Sequence, residues 1–310
     1  MPTLNLSVDE LRETARAVRH DVLVAIHTAR SGHPGGPLSA ADYLTALWMN
    51  YLNYDPENPF WPERDRFVLS NGHCSMLLYT LMAHRGLFSR GYLLTFRTVN
   101  SRLQGHPSKT ALPGVEVSSG SLGQGLSVAH GMALGARIRG APERTVFCNC
   151  GDGEMQEGNI WEAIMHAGHR KTDNLIVSAD WNNAQIDGYV ENVKNIAPLP
   201  EKFRDFGWRT IEADGHDMDD IVRAWDEAAD GTPARGKGCG QPTVILFKTV
   251  MMHGCPTYEN IPGWHGRPPK EDEVMQMLNE LGYSYNSIDE ARAAMGGFQE
   301  YDGYGAEDGK

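Results

Sequence analysis

Positive charge is scarce in this chain: 28 lysines and arginines stand against 40 aspartates and glutamates, a formal net charge of −12 over 310 residues. No basic stripe could track a phosphate backbone, so nucleic acid is not an expected partner. Long hydrophobic runs are missing too. Nowhere do 18 apolar residues follow one another, and the opening "MPTLNLSVDE" has no basic stretch leading into an apolar one. Neither a membrane span nor a secretory leader is expected, and the chain reads as cytoplasmic. Cysteine is sparse as well: Cys74, Cys148, Cys150, Cys239 and Cys255 form an odd, scattered set without zinc-site spacing. Cys148 and Cys150 fall on one face of a strand, and all five are expected to be reduced, structural thiols. No internal repeat is evident.

What is present is ordinary globular material, 41% hydrophobic and 22% charged, long enough for one large α/β domain or two small ones. Ser7 followed by Glu10 forms a capping box, and Leu11, Ala15, Val18, Val22 and Ile26 continue at helical spacing. The helix runs into "RSGHPGGP", which holds His33, and a second helix is expected from a cap at Ser39. The apolar "RFVLS" leads into "NGHCS", placing His73 at a strand-to-helix junction, and "QGHPS" puts His106 in a further loop. "GSLGQGLSVAHGMALGARIRG" reads as a helix starting near Gly120, dense in glycine and alanine so that a ligand can approach its backbone. Thereafter "RTVFCNC", "NLIVSAD", "WRTIEADG" and "PTVILFKTV" alternate with amphipathic runs, among them "MDDIVRAWDEAA" capped by Asp217. This is the pattern of βαβ units around a parallel sheet with both faces covered. Residues 296–310 are polar and glycine-rich, a tail expected to be mobile unless it docks on a partner.

In such a sheet ligands sit at the carboxyl ends of the strands, and there "GDGEMQEG" (151–158) and "NNAQIDG" fall. Asp152 and Asn182 end consecutive strands and can converge. An acid, an amide and nearby carbonyls are hard oxygen ligands suited to magnesium or calcium. Magnesium takes few protein carboxylates and completes its shell with water and phosphate oxygens, so the pair implies a phosphorylated ligand. The glycines beside Asp152 let that ligand approach without Cβ clashes. Alone, "GDG" is also an ordinary turn; its company is four loop histidines, His33, His73, His106 and His265, each beside Gly or Pro. By contrast His84, His130, His166 and His169 lie in helix-like runs as packing or surface residues, Trp161 and Trp225 read as core, and the bland reading of Glu154 is a solvated side chain.

"SGHPG", "LSNGHCSMLLY", "GHPS", "LPGVEVSSGSLGQGLSVAHGMAL", "GDGEMQEGNIWEA", "NNAQIDG" and "WHG" together resemble the thiamine-diphosphate domain of the transketolase family, in family order from about residue 8 to 283. The resemblance implies a three-layer α/β thiamine-diphosphate-binding fold, with a mostly parallel central sheet and helices on both faces, over residues 1–295. It implies that Asp152, Asn182 and the Ala184 carbonyl hold Mg²⁺, for which Ca²⁺ or Mn²⁺ can substitute. His73, Gly120, Ser121, Leu122, Asp152, Gly153, Glu154, Asn182 and His265 would line the cofactor, and His33, His106 and His265 would surround the reacting carbon and move protons. Glu157 occupies the family's acid position at the contact with a neighbouring domain. The reaction implied is transfer of a two-carbon ketol unit from a ketose to an aldehyde acceptor. Family enzymes continue into a pyrimidine-binding domain with a cofactor-activating glutamate and then a C-terminal domain, so the resemblance is to the N-terminal subunit of a split enzyme. That subunit is expected to be inactive alone and to join a C-terminal subunit, as α2β2. Two features depart from the family: Ser121 stands where proline is usual, and "MMHGCPTYENIPGWHG", with His253 and Tyr258, replaces a lysine- and glycine-rich stretch. The second departure opens an alternative, a ketol or acyl transfer on an unusual or non-phosphorylated substrate; a non-catalytic cofactor-binding scaffold is the alternative of another class.

Overall fold

The computed structural model describes residues 3–236 and 238–305. In chain order the elements are α1 (Val8–Ala29), α2 (Gly35–Ala46), β1 (Arg66–Leu69), α3 (Ser75–His84), α4 (Gln124–Ile138), β2 (Val146–Gly151), α5 (Gly158–His169) and β3 (Leu175–Trp181). A small hairpin follows, β4 (Ala184–Gln185) and β5 (Gly188–Tyr189), then α6 (Val190–Lys194), α7 (Leu199–Asp205), β6 (Arg209–Asp214), α8 (Met218–Asp230), β7 (Thr243–Lys248), α9 (Glu271–Glu280) and α10 (Ile288–Ala294). The five long strands form one sheet in the order β1-β2-β3-β7-β6, every pairing parallel. Among the described residues no helix is long and apolar enough to cross a membrane.

Alternation along the strands sorts the core into two layers. Phe147, Ile176, Ile245 and Phe247 face a cluster built with α1, α2, α3, α8 and α9, whereas Val146, Cys148, Val177, Val244 and Leu246 face one built with α4, α5 and α7. Because a strand's side chains alternate between faces, apolar residues at both parities require helices on both sides, the expected three-layer arrangement. Trp225 is buried in the first layer, with its indole N–H donated to the Tyr43 carbonyl, and Trp161 packs partly buried on the second. Cys148 and Cys150 sit on one face with their sulfurs 3.9 Å apart, and all five cysteines are free thiols.

Two local expectations are corrected. The capping box of Ser7 and Glu10 is present, but α2 starts at Gly35, behind Pro34, and not at a Ser39 cap. Proline's fixed φ already suits a helix entry, and Ser39 spends its hydroxyl elsewhere, donating to Asp180 Oδ1 at 2.5 Å. Helix α4 begins at Gln124, not near Gly120, because Gly123 adopts a left-handed φ of 81° that halts the helix there. The described part of the polar tail, up to Gly305, contacts the chain's own surface. Asp302 accepts the Ser89 amide at 2.7 Å, Tyr301 packs against Tyr92 with ring centroids 5.2 Å apart, and the Arg102 guanidinium lies 4.7 Å from the Tyr301 ring centre. Composition marked this segment as polar, but its tyrosines give it an apolar face; residues 306–310 lie outside the described residues.

Candidate active site

The carboxyl ends of β2 and β3 open into a cavity of about 410 Å³. Asp152 is the first residue past β2 and Asn182 the first past β3, and the parallel register pairing Gly151 with Asp180 brings them side by side. Asp152 Oδ1 accepts the Gly153 amide at 2.7 Å and Oδ2 accepts the Asn183 amide at 2.6 Å. Asn182 Oδ1 accepts the Ala184 amide at 2.8 Å, while its Nδ2 donates to Asp180 Oδ2 at 3.0 Å and Ser39 at 3.2 Å. Asn183 holds the turn with a left-handed φ of 56°, a conformation asparagine tolerates better than most residues.

This corner is acidic and buried. Burial, then the neighbouring Asp180 carboxylate, push Asp152 up to about 8, against the pull of the Asn183 and Gly153 amides. Burial also raises Asp180, although hydrogen bonds from Ser39, Thr249 and Asn182 act the other way. No lysine or arginine lines the cavity among the described residues. Buried carboxylates without a cationic side chain, next to an amide oxygen with a free lone pair, form a donor set that fits a hard divalent cation.

Glycines make room for a ligand. A Cβ on Gly153 would lie 2.8 Å from Gln185 Oε1, and one on Gly120 would meet the His106 ring at 3.3 Å. Glu154 is not solvated. Its side chain is buried, accepting the Ser70 hydroxyl at 2.5 Å, the Gly123 amide at 2.7 Å and the Gly151 amide at 3.2 Å. One carboxylate thereby ties the end of β1, the start of α4 and the end of β2, and burial raises it to about 7. Glu154 lines the cavity, but its oxygens are committed to the frame, which makes it a positioning residue.

The four loop histidines converge on the same cavity. His33 lies with ring centroids 5.4 Å from His73, 5.9 Å from His265 and 6.4 Å from His106, and His73 lies 4.9 Å from His265. Burial lowers all four; for His33 the value falls to about 4, with His265, Arg97 and His106 adding repulsion. At neutral pH the group is a ring of uncharged imidazoles, each able to give one proton and accept another.

Of the residues singled out in the sequence, His33, His73, His106, Gly120, Leu122, Asp152, Gly153, Glu154, Glu157, Asn182, Ala184 and His265 all border the cavity. Ser121 does not; it is exposed on the turn before α4. Glu157 sits exposed at the rim, as the residue before α5. The departing loop does not reach the cavity through the residues expected to matter. His253 stacks on His216 at 3.5 Å, and Tyr258 packs on Trp264 with its hydroxyl donated to Gln276. The support which that loop lent to an unusual substrate is therefore withdrawn. Sequence reasoning missed Asp180, Ser39 and Thr249; the two hydroxyls both donate to Asp180 Oδ1 at 2.5 Å. An acid inside the apolar run "NLIVSADW" was the available signal.

Comparison with known proteins identifies the family. Residues 10–303 match the family described as transketolase, thiamine diphosphate binding domain. The chain is 40% identical over 272 residues to the 6-deoxy-6-sulfo-D-fructose transketolase subunit SqwG of Clostridium sp. (strain MSTE9), covering 88% of this chain and 96% of that protein. It is 36% identical over 282 residues to an apulose-4-phosphate transketolase subunit of Actinobacillus succinogenes, covering 91% of this chain and 99% of that one. Among solved structures, transketolase from Campylobacter jejuni superposes with a TM-score of 0.83 at 32% identity, over 94% of this chain and 46% of that one. The chain thus spans nearly all of the two subunits and under half of the longer transketolase.

Proposed function

The chain belongs to the transketolase family, and we propose that it is the cofactor-binding half of a two-polypeptide transketolase that moves a two-carbon ketol unit from a ketose to an aldehyde. The observation that carries this reading is the convergence, at one mouth of the sheet, of the Asp152–Asn182 oxygen set and four neutral histidines. Asp152, Asn182 and the Ala184 carbonyl would hold the divalent ion, Mg²⁺ with Ca²⁺ or Mn²⁺ as substitutes, and the turn from Gly120 to Leu122 with His73 would border the diphosphate. Thiamine diphosphate, when bound, supplies the electron sink that carbon–carbon cleavage of a ketose requires.

This chain's own part is to orient and to move protons. His33, His106 and His265, uncharged at pH 7, can accept the proton of a ketose hydroxyl as the bond breaks and return it to the acceptor's oxygen. Asp180 orients Asn182, and Glu154 holds Gly123 against the end of β2. The cavity's half-open mouth carries exposed apolar side chains, Ile186 at 67% and Val193 at 44%. Such exposure suits a surface that a partner covers. That partner would be a C-terminal transketolase subunit bearing the activating glutamate, joined as α2β2 in the reducing cytoplasm. Two relatives matched over almost their full length carry names specifying a sulfonated ketose and a ketose phosphate. A ketose with an anionic far end is accordingly the substrate class favoured, over a non-phosphorylated neutral sugar.

Reconstitution tests the reading. The purified chain alone should give no ketol transfer, and adding the partner polypeptide, thiamine diphosphate and Mg²⁺ should restore it, with native mass spectrometry giving the stoichiometry. Robust turnover by the single polypeptide would refute the two-polypeptide assignment. Cofactor retention without turnover by the full assembly, across a panel of phosphorylated, sulfonated and free ketoses, would favour a scaffold.

A further inference from the structure

A second cavity, of about 480 Å³, lies at the opposite end of the sheet, where β1 and β2 begin and α4 ends. It is separated from the Asp152 corner by the length of β2, about 20 Å at the usual rise per residue. Five cations border it, Arg64, Arg66, Lys109, Arg139 and Arg144, with one acid, Glu116. In a chain with a net charge of −12 this concentration of positive charge is an anomaly that the active-site chemistry does not use.

The charge balance inside the cavity is uneven. Glu116 is buried and already paired, with Arg64 at 2.8 Å and Arg66 at 3.6 Å. Asp65, between those two arginines in sequence, turns the other way and accepts the amides of Asn53 and Thr145. The side chains of Lys109, Arg139 and Arg144 have no hydrogen-bond or ion-pair partner among the described residues, and Arg144 Nε is buried without an acceptor. Burial pushes Arg66 below its ordinary value against the pull of Glu116 and Asp65, and the neighbouring Arg64 and Arg144 push the same way as burial. Met132 and Val146 complete an apolar wall. Several guanidinium groups around a partly enclosed space, with too few carboxylates to neutralise them, match phosphate oxygens in both charge and fork geometry. The volume is that of a small-molecule site.

We propose that this cavity binds a compact polyanion, a small molecule carrying two or more phosphate groups, at a site separate from the cofactor's. The ligand would neutralise Lys109, Arg139 and Arg144 and leave the Arg64–Glu116 pair as its floor. The site stands on its own charge geometry and does not depend on the transfer reaction proposed above.

Inorganic tripolyphosphate, titrated into the full chain in EDTA and followed by calorimetry, tests this. We expect saturable 1:1 binding that weakens steeply with added salt. Affinity should fall at least tenfold in the Lys109→Glu/Arg139→Glu double variant, whose two sites are exposed, and in Arg144→Gln, with far-UV circular dichroism unchanged. It should survive His73→Ala, which alters the cofactor cavity. Wild-type affinity in the charge-reversed protein, loss of binding in His73→Ala, or no saturable binding would each overturn the proposal. So would displacement of the probe by the partner polypeptide, which would assign the cations to a protein interface.

Discussion

Asn183 donates its backbone amide to Asp152 Oδ2 over 2.6 Å, so the loop after β3 is fastened to the loop after β2 by the carboxylate proposed above as a metal ligand. Asp152→Asn separates the two jobs. The amide keeps the volume and one acceptor oxygen, so apparent stability should change by only about 1–2 kcal/mol. The anionic ligand is gone, and Mg²⁺-dependent retention of thiamine diphosphate should drop by roughly a hundredfold or more. Equilibrium dialysis of the two proteins, with melting curves alongside, checks both halves. Unchanged cofactor retention would remove Asp152 from the metal site.

Gly123 is the most constrained backbone position near the cavity. Its φ is 81°, and a Cβ there would sit 2.2 Å from Asn159 Oδ1 and 2.9 Å from the Glu157 Cβ. Gly123→Ala should cost about 1–3 kcal/mol of stability from backbone strain alone. Because the Gly123 amide is also held by Glu154, the turn carrying Gly120 and Leu122 should shift with it and cofactor affinity should fall. Urea unfolding and a cofactor titration on the same preparation would show the two losses together; loss of stability with full affinity would mean that the turn does not shape the site.

Asp65 offers a stability test remote from catalysis. Burial raises it to about 7 despite the two amides it accepts, so folding favours its protonated form. An acid raised in the fold contributes most stability below its unfolded value near 4 and loses that contribution as pH climbs through 7. Relative to Asp65→Asn, wild type should therefore weaken by about 2 kcal/mol between pH 5 and pH 8. Urea midpoints at the two pH values measure it, and a constant difference between the proteins would contradict the assignment.

Much of the site was legible because its signals are local. "GDG", "NN" and the His-Gly or His-Pro pairs each announce a turn with a polar side chain, and strand ends in a parallel sheet gather such turns. What escaped depended on long-range partners. Ser39 looked like a helix cap until Asp180, 141 positions away, claimed its hydroxyl. Glu154 looked solvated because neighbouring acids and a glycine-rich setting hide the fact that Ser70 and Gly123 close over it. The same holds for His253, whose place against His216 follows from the docking of β7's exit loop on α2 and not from its neighbours in sequence.

The histidine ring predicts an acid-sensitive fold. His33, His73, His106 and His265 are all lowered by burial, so an unfolded chain takes up protons at these positions before the folded one does. For a base whose folded value is depressed, the stability contribution is intact above the unfolded value near 6.5 and is lost as pH falls toward the folded value, about 4 for His33. Discounted for its partial exposure, His33 alone should account for about 1–2 kcal/mol across that window. The cofactor-free chain should thus lose stability steeply between pH 6.5 and 4, and His33→Asn should flatten part of the slope. Above pH 6.5 the two proteins should differ little in stability. In the assembled enzyme the same substitution should lower kcat by roughly a hundredfold or more, since it removes the proton acceptor proposed above. A flattened acid slope with unimpaired kcat would leave His33 as a packing residue and pass the proton transfer to His106 or His265.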